Sequence, residues 1–150
     1  MLSAGYTDLG EEWAQKTTFR QDEITRDPTL TVVLFDDSVD QLDDTSDAGD
    51  VTTEPTTGAY SPETVTLDST DIELSRKDGD LRAEALVGFD LSNTIDTIDA
   101  TAALIEFTSD VVNQETSPNT HLIYSAPLEA GTTDTARFTS LEVQLQLDLA

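Results

Sequence analysis

The chain has 150 residues, with 31 Asp and Glu against 7 Lys and Arg, for a formal net charge of −24. Such a surface repels phosphate backbones, so nucleic acid is not an expected partner. Cysteine is absent, which excludes disulfides, thiolate nucleophiles and Cys-ligated zinc, and a single histidine, His121, leaves no His-rich metal site. No apolar stretch approaches the ~18 residues of a membrane span and the opening MLSAGYTDLGEEW has no basic stretch, so neither a membrane partner nor a secretory signal is expected.

The apolar fraction of 37% is low, yet apolar residues fall in patterned runs, which points to a folded chain. The carboxylates are spread along the whole length. Their repulsion destabilises a compact state in dilute buffer and is screened in brine, where the Debye length falls to about 3 Å at 1 M. The composition therefore points to a halophilic habitat.

The first element reads as a short helix, with Asp8 as its cap, Glu11 three residues on and Leu9 and Trp13 at helical spacing. After Asp27-Pro28, the β-branched run Thr29 to Phe35 predicts a buried strand. Residues 36–55 (DDSVDQLDDTSDAGDVTTEP) are acidic and rich in turn formers, a length of loop that is uncommon unless functional or flexible. Ser61 to Leu67 alternates, with Val65 and Leu67 on one face. Ile72–Lys77 and Leu81–Phe89 form a hairpin around Asp78-Gly79, a pair suited to the positive φ angles of a type I′ turn. A turn over Ser92–Asp99 leads to a strand over Ala102–Thr108, a polar loop over Asn113–Asn119 and a short strand over His121–Ser125. From Leu141 to Leu149, five apolar residues alternate with Glu142, Gln144, Gln146 and Asp148, placing every apolar side chain on one face. Seven or eight strands and few helices predict an all-β fold, an antiparallel β-sandwich of jelly-roll type with a short N-terminal helix. Residues 1–28 read as helix and arm, and 29–150 as the sandwich domain.

Few constellations carry chemistry. Asp43, Thr45, Asp47 and Glu54 occupy positions one, three, five and twelve of an EF-hand-like frame, but Ala48 stands where its sharp turn needs glycine. Asp43, Asp47, Asp50 and Glu54 are accordingly expected to associate with cations diffusely, with no specific metal site. The pairs Asp36/Asp37 and Asp68/Asp71 are expected by chance among so many carboxylates. His121 lacks any accompanying nucleophile elbow and reads as a structural histidine at a strand edge. Neither enzymatic activity nor a cofactor is expected.

Two segments resemble known proteins. GYTDLGEEWAQK is similar to the opening of small structural proteins of tailed viruses of haloarchaea, of the kind a Haloferax tailed virus carries. The stronger likeness follows the strand ending Leu34-Phe35, where Ser38, Asp40, Leu42, Asp47, Thr52, Thr53, Glu54, Pro55, Gly58, Ala59, Tyr60 and Val65 match a recurrent pattern of that group. It covers about the first 65 residues, and Ser61-Pro62 departs from the basic residue expected after the tyrosine. The resemblance implies a non-enzymatic virion protein, assembled in the host cytoplasm and acting with other virion proteins of the capsid or the head–tail. The leading expectation is a homo-oligomeric capsid-surface decoration or turret component. A head–tail connector or tail component comes second, and a host-surface or carbohydrate-binding module is the alternative of another class. Trp13 and Tyr60 are candidate interface anchors, because aromatics concentrate in interface cores; each has the equal alternative of filling the chain's own core.

Overall fold

The computed structural model describes residues 5–20, 25–108, 118–128 and 140–147. Its elements in chain order are β1 (Gly5–Tyr6), α1 (Asp8–Phe19), β2 (Thr25–Phe35), β3 (Glu63–Thr66), β4 (Glu73–Lys77), β5 (Asp80–Asp90), β6 (Ala100–Thr108), β7 (Pro118–Pro127) and β8 (Ser140–Leu147). Among the described residues they form a five-stranded sheet in the order β1-β7-β6-β2-β3 and a three-stranded sheet in the order β4-β5-β8. All pairings are antiparallel. The all-β class and the short N-terminal helix are as expected.

Alternation along the strands builds two cores rather than one. Leu30, Val32 and Leu34 of β2 share the main core with Val65, Ala103 and Ile105, and with Ala85, Val87, Phe89, Leu145 and Leu147 of the three-stranded sheet. One face of each sheet thus meets in a common interior. The opposite face of the five-stranded sheet is apolar too: Val33, Phe35, Ala100, Ala102 and Leu122 form a second cluster, against which Leu42 and Val51 pack. Those last two belong to the acidic segment, which folds over that face.

Two described parts of the expected helix and arm, β1 and α1, pack against the five-stranded sheet. Trp13 is 7% exposed and sits in the main cluster, and β1 pairs with β7 through Gly5↔Ser125 and Tyr6↔Tyr124. The helix is capped by Thr7, not Asp8: the Thr7 hydroxyl accepts from Gly10 N at 3.0 Å and also donates to Leu122 O at 2.7 Å. A residue at the cap must leave the helix in extended geometry, and Thr7 does so because its own N–H is already fixed to Ile123 O. β2 begins at Thr25, four residues before the expected strand, with a register irregularity between Arg26 and Leu30. The Asp78-Gly79 turn has φ of 53° and 86°, the double positive geometry the sequence demands. Of the polar loop expected at 113–119, residues 113–117 lie outside the described residues, as do 148–149 of the last alternating run, while Pro118 and Asn119 open β7.

Candidate functional site

The acidic segment between β2 and β3 crosses the outer face of the five-stranded sheet and fastens to it at both sides. On one side, β2 outruns its neighbour β3, whose pairing reaches only Val32↔Glu63. The next N–H groups along this edge, one in β2 and one just past its end, are met by side chains of the loop. Leu34 N donates to the Tyr60 hydroxyl at 3.1 Å, and Asp36 N donates to Thr53 Oγ1 at 2.8 Å. The loop thereby supplies acceptors where a longer edge strand would otherwise supply carbonyls.

On the other side lies β7, beyond the reach of the two-residue β1. A β-bulge here shifts the register between Ala103↔Tyr124 and Leu104↔Leu122. Without it Leu122 and Tyr124 would face the same way; with it Leu122 enters the outer cluster and Tyr124 the main core. Asp47 reaches this bulge. Its Oδ1 accepts from Leu122 N at 2.8 Å, and its Oδ2 lies 3.0 Å from Nδ1 of His121. Because a carboxylate only accepts, Nδ1 is the donor in this contact and carries a proton. His121 is buried, and the strand edge it occupies is covered by this loop.

Between its two attachments the loop is organised by its own carboxylates. Asp40 is buried, 6% exposed, and takes four hydrogen bonds: Thr52 N and Thr53 N at 2.8 Å, Thr53 Oγ1 at 2.7 Å and Thr52 Oγ1 at 2.5 Å. Burial alone would raise its pKa, but the donors of Thr52 and Thr53 outweigh that and hold it below the ordinary 3.8. Asp43 Oδ1 accepts from Thr45 Oγ1 and N, which hold this carboxyl too below its usual range. Asp47 caps a 3-10 turn over Ala48–Asp50, accepting from Ala48 N, while Asp50 reaches back to Asp47 N at 2.8 Å. Asp8 N of the helix donates to Asp44 O at 2.7 Å, tying the loop to α1. The segment that follows is held likewise, with Thr57 Oγ1 donating to Asp96 Oδ2 and Ala59 N to Ser92 O at 2.8 Å.

The expected cation-associated residues therefore do not converge. Asp43, Asp47 and Asp50 each serve a local turn, and Glu54 accepts from the Tyr60 hydroxyl at 2.9 Å. Among the described residues no three His, Asp or Glu side chains are grouped to hold a metal ion. Asp36 accepts from Ser38 N, Asp68 from Thr70 N and Asp71 from Thr66 N, so these chance pairs also work singly. Tyr60 is engaged inside the chain, stacking on Phe89 with ring centroids 6.0 Å apart. Burial, together with Glu54 and Glu63, pushes its hydroxyl well above the ordinary value of 10.0. The sequence holds no signal for the roles of Asp40 and of the Thr52-Thr53 pair, because bonds spanning twelve and thirteen residues fall outside the local turn patterns that residue types announce. No protein-family model, curated protein or solved structure matches the chain.

Proposed function

We propose that this chain is a non-enzymatic structural protein of the virion of a haloarchaeal tailed virus, a two-layer β-sandwich decorating the capsid surface or forming part of a turret. One observation carries this reading. The residues that resemble the virion proteins are the ones that build the loop clamp: Asp40 gathers Thr52 and Thr53, Leu42 enters the outer cluster, Asp47 seizes the β7 bulge and Glu54 holds Tyr60. On this reading the pattern would be one of architecture, its polar groups serving to fix the loop to itself and to the sheet. A particle component needs such a rigid, highly charged scaffold, and −24 over 150 residues suits assembly in brine.

The test is to label purified particles of the producing virus with an antibody against the chain and to reconstruct their density. Regularly repeated label over the capsid surface is expected. Label at the head–tail junction or tail moves the chain to that location, and particles lacking the chain refute the virion role. Binding of the isolated chain to host envelope glycans, with none in particles, favours a recognition module.

A further inference from the structure

We propose that β8 is the contact edge of a homodimer, in which two copies join β8 to β8 antiparallel about a two-fold axis and the two three-stranded sheets become one of six strands. Exposed sheet edges template pairing with other chains, and natural folds blunt the ones they do not use. Among the described residues the two sheets leave four edges. β1 is two residues long, and β3 is four residues long and follows Pro62. β4 has five residues, of which Glu73, Arg76 and Lys77 are charged. β8 has eight residues, no proline, glycine or basic residue, and Glu142 as its one charge. Among the described residues three edges are protected and one is not.

The sequence of β8 also complements itself. Its register with β5 puts Leu141, Val143, Leu145 and Leu147 on the face of Ala83, Ala85, Val87 and Phe89, and Glu142, Gln144 and Gln146 on the other face. With Gln144 placed on the two-fold axis, Gln144 meets its own copy and Glu142 meets the copy's Gln146, an amide opposite a carboxylate. On the core side Leu141 meets Leu147 and Val143 meets Leu145. No like charges oppose one another, and every core-side residue finds an apolar partner. Centring the axis on Glu142 instead would set two carboxylates face to face. Leu141 and Val143 are only half-buried in the single chain, whereas Leu145 and Leu147 are buried, so the added strand would complete the cover of the first two. This contact follows from the edge alone and does not rest on the virion reading. It gives a two-fold, isologous union, to which any higher symmetry must add a separate surface.

Absence of native cysteine makes the test direct. Opposed Cα atoms in an antiparallel pair lie about 4.5–5.5 Å apart, within disulfide reach. Gln144→Cys should therefore form a disulfide-linked dimer under mild oxidation in 2 M KCl. Glu142→Cys and Gln146→Cys should each stay unlinked alone, since like positions lie four residues, about 13 Å, out of register, but should link when mixed. By light scattering the unmodified chain should have twice the monomer mass, and Val143→Lys, an inward charge on the edge, should halve it without altering the circular dichroism. A monomeric unmodified chain, linking by Glu142→Cys alone, or no linking by any of the three overturns the proposal. A monomer would leave the particle location untouched, and a chain absent from particles would leave the dimer standing.

Discussion

Removing the Asp40 carboxylate tests whether the acidic loop is a built structure. In Asp40→Ala, two backbone N–H groups and two hydroxyls of Thr52 and Thr53 lose their acceptor at a site only 6% exposed. The hydroxyls can turn elsewhere; the two N–H groups cannot. Hydrogen bonds to a charged group contribute about 1.5–3 kcal/mol each, so a loss of about 3–5 kcal/mol is expected, limited by the free energy at which the loop detaches rather than the whole chain unfolds. Asp40→Asn should cost less, about 1–2 kcal/mol. Its amide oxygen can still serve Thr52 N and Thr53 N without charge assistance, and Thr52 Oγ1 can rotate to accept from the new NH2. The pH dependence has a definite sign. The folded-state pKa of Asp40 is lowered, so its stabilisation is complete above the ordinary 3.8 and is lost as pH falls through the lower folded value. The gap between the native chain and Asp40→Asn should stay constant from neutral pH to about pH 5 and close in stronger acid. Urea titration at fixed molar KCl, read by Trp13 fluorescence, gives the global cost. Amide exchange at Thr52 and Thr53 gives the local one. Native stability and native protection of both amides in Asp40→Ala would refute the clamp.

Tyr60→Phe leaves Leu34 N without the hydroxyl it donates to and should cost about 1–3 kcal/mol in the same titration, with faster exchange at Leu34. Gly10→Ala should abolish docking of α1, because its Cβ would stand 2.0 Å from Ile123 O, a backbone atom; the expected loss exceeds about 3 kcal/mol and appears as a red-shifted Trp13 emission. The melting temperature should rise steeply between 0.1 M and 3 M KCl, and a flat profile would remove the halophilic reading of the charge.

The strands that alternate, or that end in Asp-Gly, could be read directly from the chain because their signal is local. The loop could not. Its order comes from residues far apart, such as Asp47 with Leu122 and Asp36 with Thr53, and from a bulge at Ile123 that no periodicity announces. The helix cap lies one residue before the expected Asp8 for a related reason. Asp8 and Thr7 are both good caps, and the choice falls to Thr7 through its tertiary bonds to Leu122 O and Ile123 O. The EF-hand-like spacing shows the converse. Its carboxylates point to different partners instead of a shared centre: Asp43 closes a local turn, Asp47 caps a turn and reaches β7, and Glu54 meets Tyr60.

The loop's reliance on amides has a consequence for how the acidity of this protein is divided. Residues 36–60 contain no Lys or Arg, and Asp36, Asp40, Asp43 and Asp47 are all met by backbone N–H groups. Such bonds are short and directional, and dissolved ions do not loosen them as they loosen a distant pair of opposite charges. Two populations of carboxylate therefore coexist under one formal charge. One is bound to backbone amides of the fold; the other is solvated and has no such bond to lose. Neutralising acids one at a time should be tolerated only in the second population.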